Sequence, residues 1–235
     1  MLRTVDIVIP VYNEEKALPG SIDTLYSFLD RSLPYRWRIV IADNGSTDAT
    51  LAVAGSLADR HANVEVVKLE LKGRGRALRK AWLESEADAV SYMDVDLSTG
   101  LQAFPELIGS LDEGYDVAIG SRLLPQSKTS RCLKREITSR GYNFLIRAMF
   151  MPGFTDAQCG FKAATRKVVQ DLVPLVKDQA WFFDTELLLL AKRRHYRIKE
   201  VPVEWMEDAD TRVRIASTAW EDIKGLVRVK FRPPF

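Results

Sequence analysis

The sequence is poor in cysteine and histidine, with two of each among its 235 residues. The cysteines, Cys132 and Cys159, lack CxxC spacing, and the histidines, His61 and His195, lie far apart in the chain. This pattern excludes a disulfide framework and gives no zinc-ligand motif. Cys159 has no neighbouring histidine to activate it, which predicts a buried structural thiol. We therefore expect a protein of a reducing compartment, the cytoplasm.

Long apolar runs are also missing. No segment approaches the ~18–20 apolar residues that span a bilayer. The N-terminus MLRTVDIVIP leads directly into a strand rather than into the apolar region of a signal peptide. The remaining composition, 46% hydrophobic and 28% charged, is that of an ordinary globular protein. These features predict one large domain, soluble or bound peripherally to a membrane.

The net charge of +2 hides an uneven distribution. Residues 127–147 contain six Lys and Arg against one acid, and residues 211–235 contain six against two, so the rest of the chain is acidic. The basic segment that ends near Phe150 also carries Phe144 and Leu145, which predicts an amphipathic helix on an anionic membrane surface. The alternative is that these apolar side chains pack on the body of the protein. We expect no nucleic-acid partner, because the basic blocks lack an aromatic platform.

Short β-branched strands alternate with helical patterns through the first half of the chain. The sequence predicts strands at 5–12, 37–43, 64–70, 87–94 and 115–121, and helices at about 15–30, 47–59, 75–85 and 102–112. Ser46 or Thr47 is expected to cap the second helix. The alternation predicts an α/β, Rossmann-like fold with a mostly parallel sheet and helices on both faces.

The pattern changes after residue 125. The basic segment is followed by a predicted loop, PGFTDAQCGFKAAT, at 152–165. Helices are predicted at about 166–172 and 183–194, and a last strand, IKEVPVEW, at 198–205.

Polar loops follow all five strands of the first half, at the sheet edge where ligands bind in such folds. One of them contains Asp94 and Asp96, which alternation along a strand end would place on the same side. A divalent cation would stabilise two such neighbouring charges, and Mg²⁺ is commonly held by one or two carboxylates plus substrate phosphates. The alternative is that both carboxylates serve turn and cap chemistry.

The segment LKGRGRA at 71–77 lacks the third glycine of a dinucleotide fingerprint, so it does not support a dehydrogenase. It offers instead Lys72, Arg74 and Arg76 with two glycines before a helix. This arrangement suits the binding of anionic oxygens.

Six motifs, taken in order, resemble those of the family 2 glycosyltransferases, which have the GT-A fold and use nucleotide sugars. The motifs are VIPVYNEE (8–15), ADNGSTD (42–48), KGRGRALRKA (72–81), DVD (94–96), GSR (120–122) and DAQCGFKA (156–163). The chain most resembles the dolichyl- and polyprenyl-phosphate glucosyltransferases and mannosyltransferases of that family, through DAQCGFKA, WFFDTELL (181–188) and VPVEW (201–205). The resemblance implies a nucleotide-sugar-binding core over 1–125 and an acceptor-binding, membrane-facing part of the same domain over 126–235.

The resemblance also implies roles for individual residues on the donor side. A nucleotide-sugar donor would lie in a pocket lined by Pro10, Tyr12, Glu14 and Lys72, with Asp43 holding the base. Asp94 would contact the ribose and the metal region, and Asp96 would bind Mg²⁺ or Mn²⁺. One departure from the family pattern concerns this pocket, because Asn44 stands where many relatives carry a second aspartate.

On the acceptor side the resemblance implies an arginine cluster for a polyprenyl or dolichyl phosphate. Its members would be Arg122 together with Arg135, Arg140 or Arg212, since the planar guanidinium binds two phosphate oxygens at once. Asp156 and Gln158 would face the sugar. Asp96, Arg122, Asp156 and Gln158 are thus the predicted catalytic residues.

The implied reaction is transfer of a hexose to a lipid phosphate at the cytoplasmic face of a membrane, with inversion. Such a phosphate has a second pKa near ~6 and is already a nucleophile, so no general base is required. UDP-glucose is the favoured donor, and GDP-mannose remains open. A saccharide hydroxyl acceptor would instead need a base, for which Asp156 and Asp184 are the candidates, although Asp184 also suits a helix cap. A non-catalytic module that binds nucleotide or membrane is the third hypothesis.

Overall fold

The computed structural model describes residues 2–130, 133–206 and 215–232. A seven-stranded sheet forms its centre. Its strands are β1 (Thr4–Val11), β2 (Arg36–Asn44), β3 (Val64–Leu69), β4 (Ala89–Met93), β5 (Val117–Ser121), β7 (Phe161–Thr165) and β8 (Ile198–Pro202). They lie side by side in the order β3-β2-β1-β4-β7-β5-β8. All neighbours pair in parallel except β7, which is antiparallel to β4 and β5. The predicted α/β, mostly parallel architecture is confirmed.

Eight α-helices belong to the described residues. They are α1 (Leu18–Ser32), α2 (Thr50–Arg60), α3 (Arg74–Glu84), α4 (Phe104–Asp112), α5 (Leu133–Phe150), α6 (Arg166–Leu172), α7 (Phe183–Arg193) and α8 (Ile215–Phe231). None of these helices is long and apolar enough to cross a membrane.

Two apolar cores lie on the two faces of the sheet. One joins the sheet to α1, α2 and α4, and the other joins it to α3 and α5–α8. Along β1 the side chains alternate between them, since Val8 belongs to one core and Ile7 and Ile9 to the other. Burial on both faces explains why the strand reads as a continuous apolar run.

The predicted loop at 152–165 is wrong in its second part, because Phe161–Thr165 forms β7 in the middle of the sheet. Its sequence FKAAT contains lysine and alanine, which are depleted in strands. Pairing on both sides with β4 and β5 outweighs this weak propensity. This strand places the DAQCGF segment at the edge of the sheet where the polar loops of the first half end.

Two other sequence predictions need correction. The last predicted strand is divided at Val203 into β8 and a short strand β9 (Glu204–Met206), which pairs with β6 (Lys128–Ser130) in a separate two-stranded sheet. Neither Ser46 nor Thr47 caps α2, which begins after Ala49 without a side-chain cap. The Asp48 carboxylate accepts the Thr50 amide there instead, at 3.0 Å.

Candidate active site

The site lies along one edge of the main sheet. The parallel strands β1, β2, β4 and β5 all finish at this edge, and the antiparallel strand β7 begins there. The loops that follow Val11, Asn44, Met93 and Ser121 therefore meet the loop that precedes Phe161. This convergence agrees with the expectation that ligands bind at the carboxyl ends of strands.

The predicted donor residues of the first loops lie close to one another. The Lys72 ammonium lies over the Tyr12 ring, 3.5 Å from its centroid. Asp43 is buried beside Val11 at the end of β2, and its Oδ1 accepts the Ser46 amide at 3.4 Å. The structure thus brings one aromatic ring, one cation and one carboxylate to the same end of the sheet.

Pro10, Glu14 and Asn44 complete this part of the edge. Pro10 is the penultimate residue of β1, and the backbone amide of Glu14 donates to Thr50 Oγ1 at 2.8 Å. Asn44 Oδ1 accepts the amide of Gly73 at 2.6 Å. The residue that departs from the family pattern therefore anchors the basic loop before α3.

Asp94 and Asp96 do not lie on a strand. Strand β4 ends at Met93, and the next residues form a turn in which the Leu97 amide donates to the Asp94 carbonyl and Leu97 has a φ of 51°. The strand alternation predicted for the two carboxylates is therefore wrong. Asp96 is exposed and its Oδ1 accepts the Ser98 amide at 3.0 Å, whereas Asp94 is half-buried.

Asp94 is held from two sides. Its Oδ1 accepts Arg74 Nη2 at 2.8 Å. Its Oδ2 lies against the backbone of Gly160, where an added Cβ would come within 1.9 Å. A glycine is required here because the carboxylate occupies the space of a side chain.

Arg74 joins Asp94 to a buried polar cluster. Its Nη1 donates to Asp184 Oδ2 at 2.7 Å, and Asp184 also accepts the Tyr92 hydroxyl. Lys162 Nζ lies 3.7 Å from Asp184 and donates to the Cys159 carbonyl at 2.5 Å. Burial would raise the pKa of Asp184, but Lys162 and Arg74 outweigh it and hold that pKa below its ordinary value. The capping alternative for Asp184 is wrong, since α7 begins after Phe182 without a side-chain cap.

Arg122 and Asp156 form a second buried ion pair. Arg122 Nε and Nη2 donate to the two carboxylate oxygens at 2.7 and 2.9 Å, and the Arg122 amide donates to Oδ2 at 3.1 Å. The Asp156 side chain is wholly buried and that of Arg122 is 12% exposed. Burial alone would raise the pKa of Asp156, yet the guanidinium lowers it to about 2. Asp156 is therefore an anion that orients Arg122.

Gln158 connects this pair to the C-terminal helix. Its amide donates to Asp156 Oδ1 at 3.1 Å, and its side-chain Nε2 donates to Asp222 Oδ2 on α8 at 3.0 Å. Cys159, next in the chain, is fully buried, and burial raises its pKa to about 11. Its expected structural role is consistent with this environment.

The remaining predicted acceptor arginines are not assembled beside Arg122 by the described contacts. Arg140 lies on the exposed surface of α5 and pairs with Glu136. The backbone of Arg135 belongs to α5, but its side chain lies outside the described part of the structure, as does the whole of Arg212.

Several site residues are not predicted by the sequence pattern. Tyr92 and Lys162 lie on strands and read as core positions, and Asp222 lies 64 residues from its partner Gln158. Lys162 carried one usable signal, a lone lysine between apolar residues in CGFKA. Asp222 carried none, because only the packing of α8 brings it to the site.

The donor set at Asp94 and Asp96 fits a hard divalent cation. Both residues supply carboxylate oxygens at the accessible edge of the sheet, and such cations prefer oxygen ligands. Among the described residues, no group of three or more His, Cys, Asp or Glu side chains could hold a metal ion. Two carboxylates are too few to hold Mg²⁺ or Mn²⁺ alone, so a substrate's phosphates would have to supply the other oxygen ligands.

Comparison with known proteins assigns the family. The family profile described as Glycosyl transferase family 2 matches residues 6–173, which is most of the chain. The chain belongs to glycosyl transferase family 2. The matched residues include the predicted donor residues, the Arg122–Asp156 pair and Arg74, but not Asp184, which is the partner of Arg74.

Two kinds of curated relatives of this family 2 chain are similar along most of its length. Glycosyltransferase AglD of Haloferax volcanii is 34% identical over 225 residues, which cover 94% of this chain and 35% of AglD. Dolichyl-phosphate beta-glucosyltransferase ALG5C of Trichomonas vaginalis is 32% identical over 221 residues, 89% of this chain and 66% of that protein. The chain thus spans about one third of the first relative and about two thirds of the second.

Solved structures confirm the GT-A fold of the family 2 chain. Glucosyl-3-phosphoglycerate synthase from Mycobacterium tuberculosis in complex with uridine diphosphate matches with a TM-score of 0.73 at 22% identity, over 96% of this chain and 79% of that one. The same enzyme has been solved with Mn²⁺, uridine diphosphate and glucosyl-3-phosphoglycerate, and matches with a TM-score of 0.71 at 19% identity.

Proposed function

We propose that this chain transfers a hexose from a nucleotide diphosphate sugar, with UDP-glucose as the preferred donor, to a polyprenyl or dolichyl phosphate at a membrane surface. The names of the dolichyl-phosphate beta-glucosyltransferases among its relatives support a glucosyl group and a dolichyl phosphate acceptor. Manganese and uridine diphosphate in the glucosyl-3-phosphoglycerate synthase structures support a metal-dependent uridine nucleotide donor.

One observation carries the choice of a phosphate acceptor. Asp156 and Asp184, the two carboxylates considered as bases for a hydroxyl acceptor, are both held as ion pairs with lowered pKa values. A general base works best with a pKa near the operating pH. A lipid phosphate needs no such base, since it is already ionised at neutral pH. The environment of both carboxylates therefore favours the lipid phosphate over a saccharide hydroxyl.

The chain's residues would then act as follows on the donor. Tyr12, Lys72 and Asp43 bind the nucleotide, and Asp94 and Asp96 hold the Mg²⁺ or Mn²⁺ ion. The bound cation supplies positive charge that stabilises the departing nucleoside diphosphate.

On the acceptor side, Arg122 binds the phosphate. Its Nε and Nη2 are occupied by Asp156, while Nη1 makes no hydrogen bond within the described residues and is available to the acceptor. An acceptor oxygen forms a bond to the anomeric carbon as the bond from that carbon to the diphosphate breaks, which inverts the configuration. Arg122 holds the nucleophile in line for this displacement.

The surface of α8 supports a membrane location for this reaction. Trp220, Ile223, Val227 and Phe231 are exposed and recur at helical spacing along it. Phe144 of α5 is 72% exposed, so packing on the body does not account for it, whereas Leu145 and Met149 do pack against the core. Apolar side chains beside Lys224 and Lys230 are the composition of a helix that lies in an anionic interface. The cytoplasmic face stays a prediction.

The test is transfer of labelled sugar to a short polyprenyl phosphate, from UDP-glucose and from GDP-mannose, with Mg²⁺, Mn²⁺ or EDTA. We expect metal-dependent transfer from UDP-glucose and a loss of at least about 100-fold in Asp96→Ala, because transition-state charge stabilisation is worth several kcal/mol. Asp30→Ala, an exposed change on α1, is the matched control. Turnover with saccharides but not with lipid phosphate would contradict the proposed acceptor. UDP binding without any turnover would favour the binding module.

A further inference from the structure

The C-terminal helix α8 carries a buried carboxylic acid that packs against the site from outside the main sheet. Asp222 is 2% exposed, and its Oδ2 accepts the side-chain amide of Gln158 at 3.0 Å. Its Oδ1 is also buried and has no hydrogen-bond partner among the residues that the structure describes. A carboxylate with an unpaired, buried oxygen is costly, and neutralisation relieves that cost.

The charges around Asp222 also favour its neutral form. Asp178 from the segment before α7 and Asp184 from α7 are both acids, and Tyr142 faces it from α5. Within the described residues Asp222 forms no ion pair with a cation. Burial, and then the two acids, raise the pKa of Asp222 to about 7, against the opposing effect of Gln158.

Other contacts fix α8 at this position. Arg228, six residues further along the helix, donates to both carboxylate oxygens of the buried Glu186 at 2.7 and 2.9 Å. Gly225 lies against the Phe182 ring so closely that an added Cβ would approach it to 2.4 Å. Asp222 is therefore held against the 156–158 loop by a well-anchored helix.

We propose that Asp222 is a positioning residue of the transfer site, which accepts a hydrogen bond from the side-chain amide of Gln158 and thereby fixes the loop that carries Asp156. The inference rests on the proposed function and deepens it. Three hydrogen bonds connect Asp222 to Arg122. Asp222 accepts the Gln158 side-chain amide, and Asp156 accepts both the Gln158 backbone amide and Arg122 Nε.

This arrangement makes the loop sensitive to pH. When the loop and α8 separate, Asp222 is hydrated and has an ordinary pKa near ~4. In the closed form, in which the loop packs against α8, the pKa of Asp222 is raised. The closed form is therefore favoured most at low pH and loses this advantage as pH rises from about 4 to about 7. Above about 7 the closed carboxyl is itself ionised, and the effect levels off.

The experiment is hydrogen exchange of the Ala157 and Gln158 amides at pH 5, 6, 7 and 8 in the full chain. It compares the native protein with Asp222→Asn, which keeps the acceptor for Gln158 but cannot ionise. Glu221→Gln, an exposed neighbour on α8, is the matched control. We expect the opening constant of the native loop, relative to Asp222→Asn, to rise more than about tenfold between pH 5 and 7, and then to level off. The Glu221→Gln protein should follow the native one.

Transfer kinetics give the second readout. With Asp222→Ala, kcat/KM at pH 6 should fall about three- to tenfold, the factor of one lost hydrogen bond, while Asp222→Asn stays near the native value there and lacks the native decline as pH rises to about 7. Equal exchange ratios at all pH values, or an Asp222→Ala protein that equals the native one in exchange and kinetics, would overturn the proposal. If no variant transfers sugar, the proposed function fails, and the exchange data alone decide whether Asp222 positions the loop.

Discussion

Breaking the buried pair of Arg122 and Asp156 should destabilise the fold by several kcal/mol, and this loss is the sharpest test of the site's electrostatics. The carboxyl has a pKa of about 2 against an ordinary 3.8. That difference corresponds to about 2–3 kcal/mol of stability at neutral pH. Breaking such a pair by removing one partner costs about 3–5 kcal/mol, because the other charge stays buried without a partner.

Asp156→Asn is the informative substitution. Both oxygens of the native carboxylate accept hydrogen bonds, one from Arg122 Nε and the Arg122 amide, the other from Arg122 Nη2 and the Gln158 amide. An asparagine presents an oxygen to only one of these two sets and a donor to the other. We expect a loss of about 2–4 kcal/mol in the free energy of unfolding.

The assay is urea unfolding at pH 7.5, followed by circular dichroism and by tryptophan fluorescence, with Arg122→Met and the double variant completing a cycle. The double variant should be less destabilised than the sum of the two single variants by about 2 kcal/mol. Glu204→Gln, which removes an exposed ion pair with Lys128, should leave the midpoint unchanged.

The sign of the pH dependence follows from the lowered pKa of Asp156. The stabilisation is present above the unfolded value near 3.8 and is lost as pH falls from about 4 to about 2. The Asp156→Asn protein should lack this loss. A cost below about 1 kcal/mol for Asp156→Asn, or strict additivity in the cycle, would refute the reasoning.

Two further results are expected. Gly160→Ala should displace the Asp94 carboxylate, since the new Cβ would lie 1.9 Å from Asp94 Oδ2, and should therefore lower the affinity for Mn²⁺ and UDP measured by calorimetry. The control is Gly109→Ala, because nothing lies within 4 Å of a Cβ added there. Unchanged affinity in Gly160→Ala would contradict the proposed metal site. The double change Trp220→Ser and Val227→Ser should reduce flotation of the protein with anionic vesicles. It should leave the unfolding midpoint unchanged, because both side chains are exposed. Undiminished flotation would exclude this face of α8 as the membrane contact.

Much of the fold could be read from local sequence because its elements carry strong local signals. The strand ending at Val11, the strand ending at Asn44 and the helix between them follow the apolar periodicities that a parallel α/β sheet requires. The polar loops at these strand ends were recognisable for the same reason. Parallel pairing then forces them onto one edge, so the location of the site followed from the predicted topology.

Tertiary structure decided what the local pattern could not. Phe161–Thr165 is a strand only because β4 and β5 pair with it from both sides, against its own weak propensity. The turn at Asp94 and Asp96 replaced the expected strand alternation because β4 ends at Met93, before either carboxylate.

The partners of the buried charges came from the packing as well. Arg74 and Asp184 are 110 residues apart, and Gln158 and Asp222 are 64 apart. The sequence by itself determined the family, the sheet and the edge at which chemistry occurs, since these depend on periodicity and on motifs. Only the tertiary structure decided that Asp156 and Asp184 are paired with cations and that Asp222 forms no ion pair within the described residues, because this depends on distance and burial between elements remote in the chain.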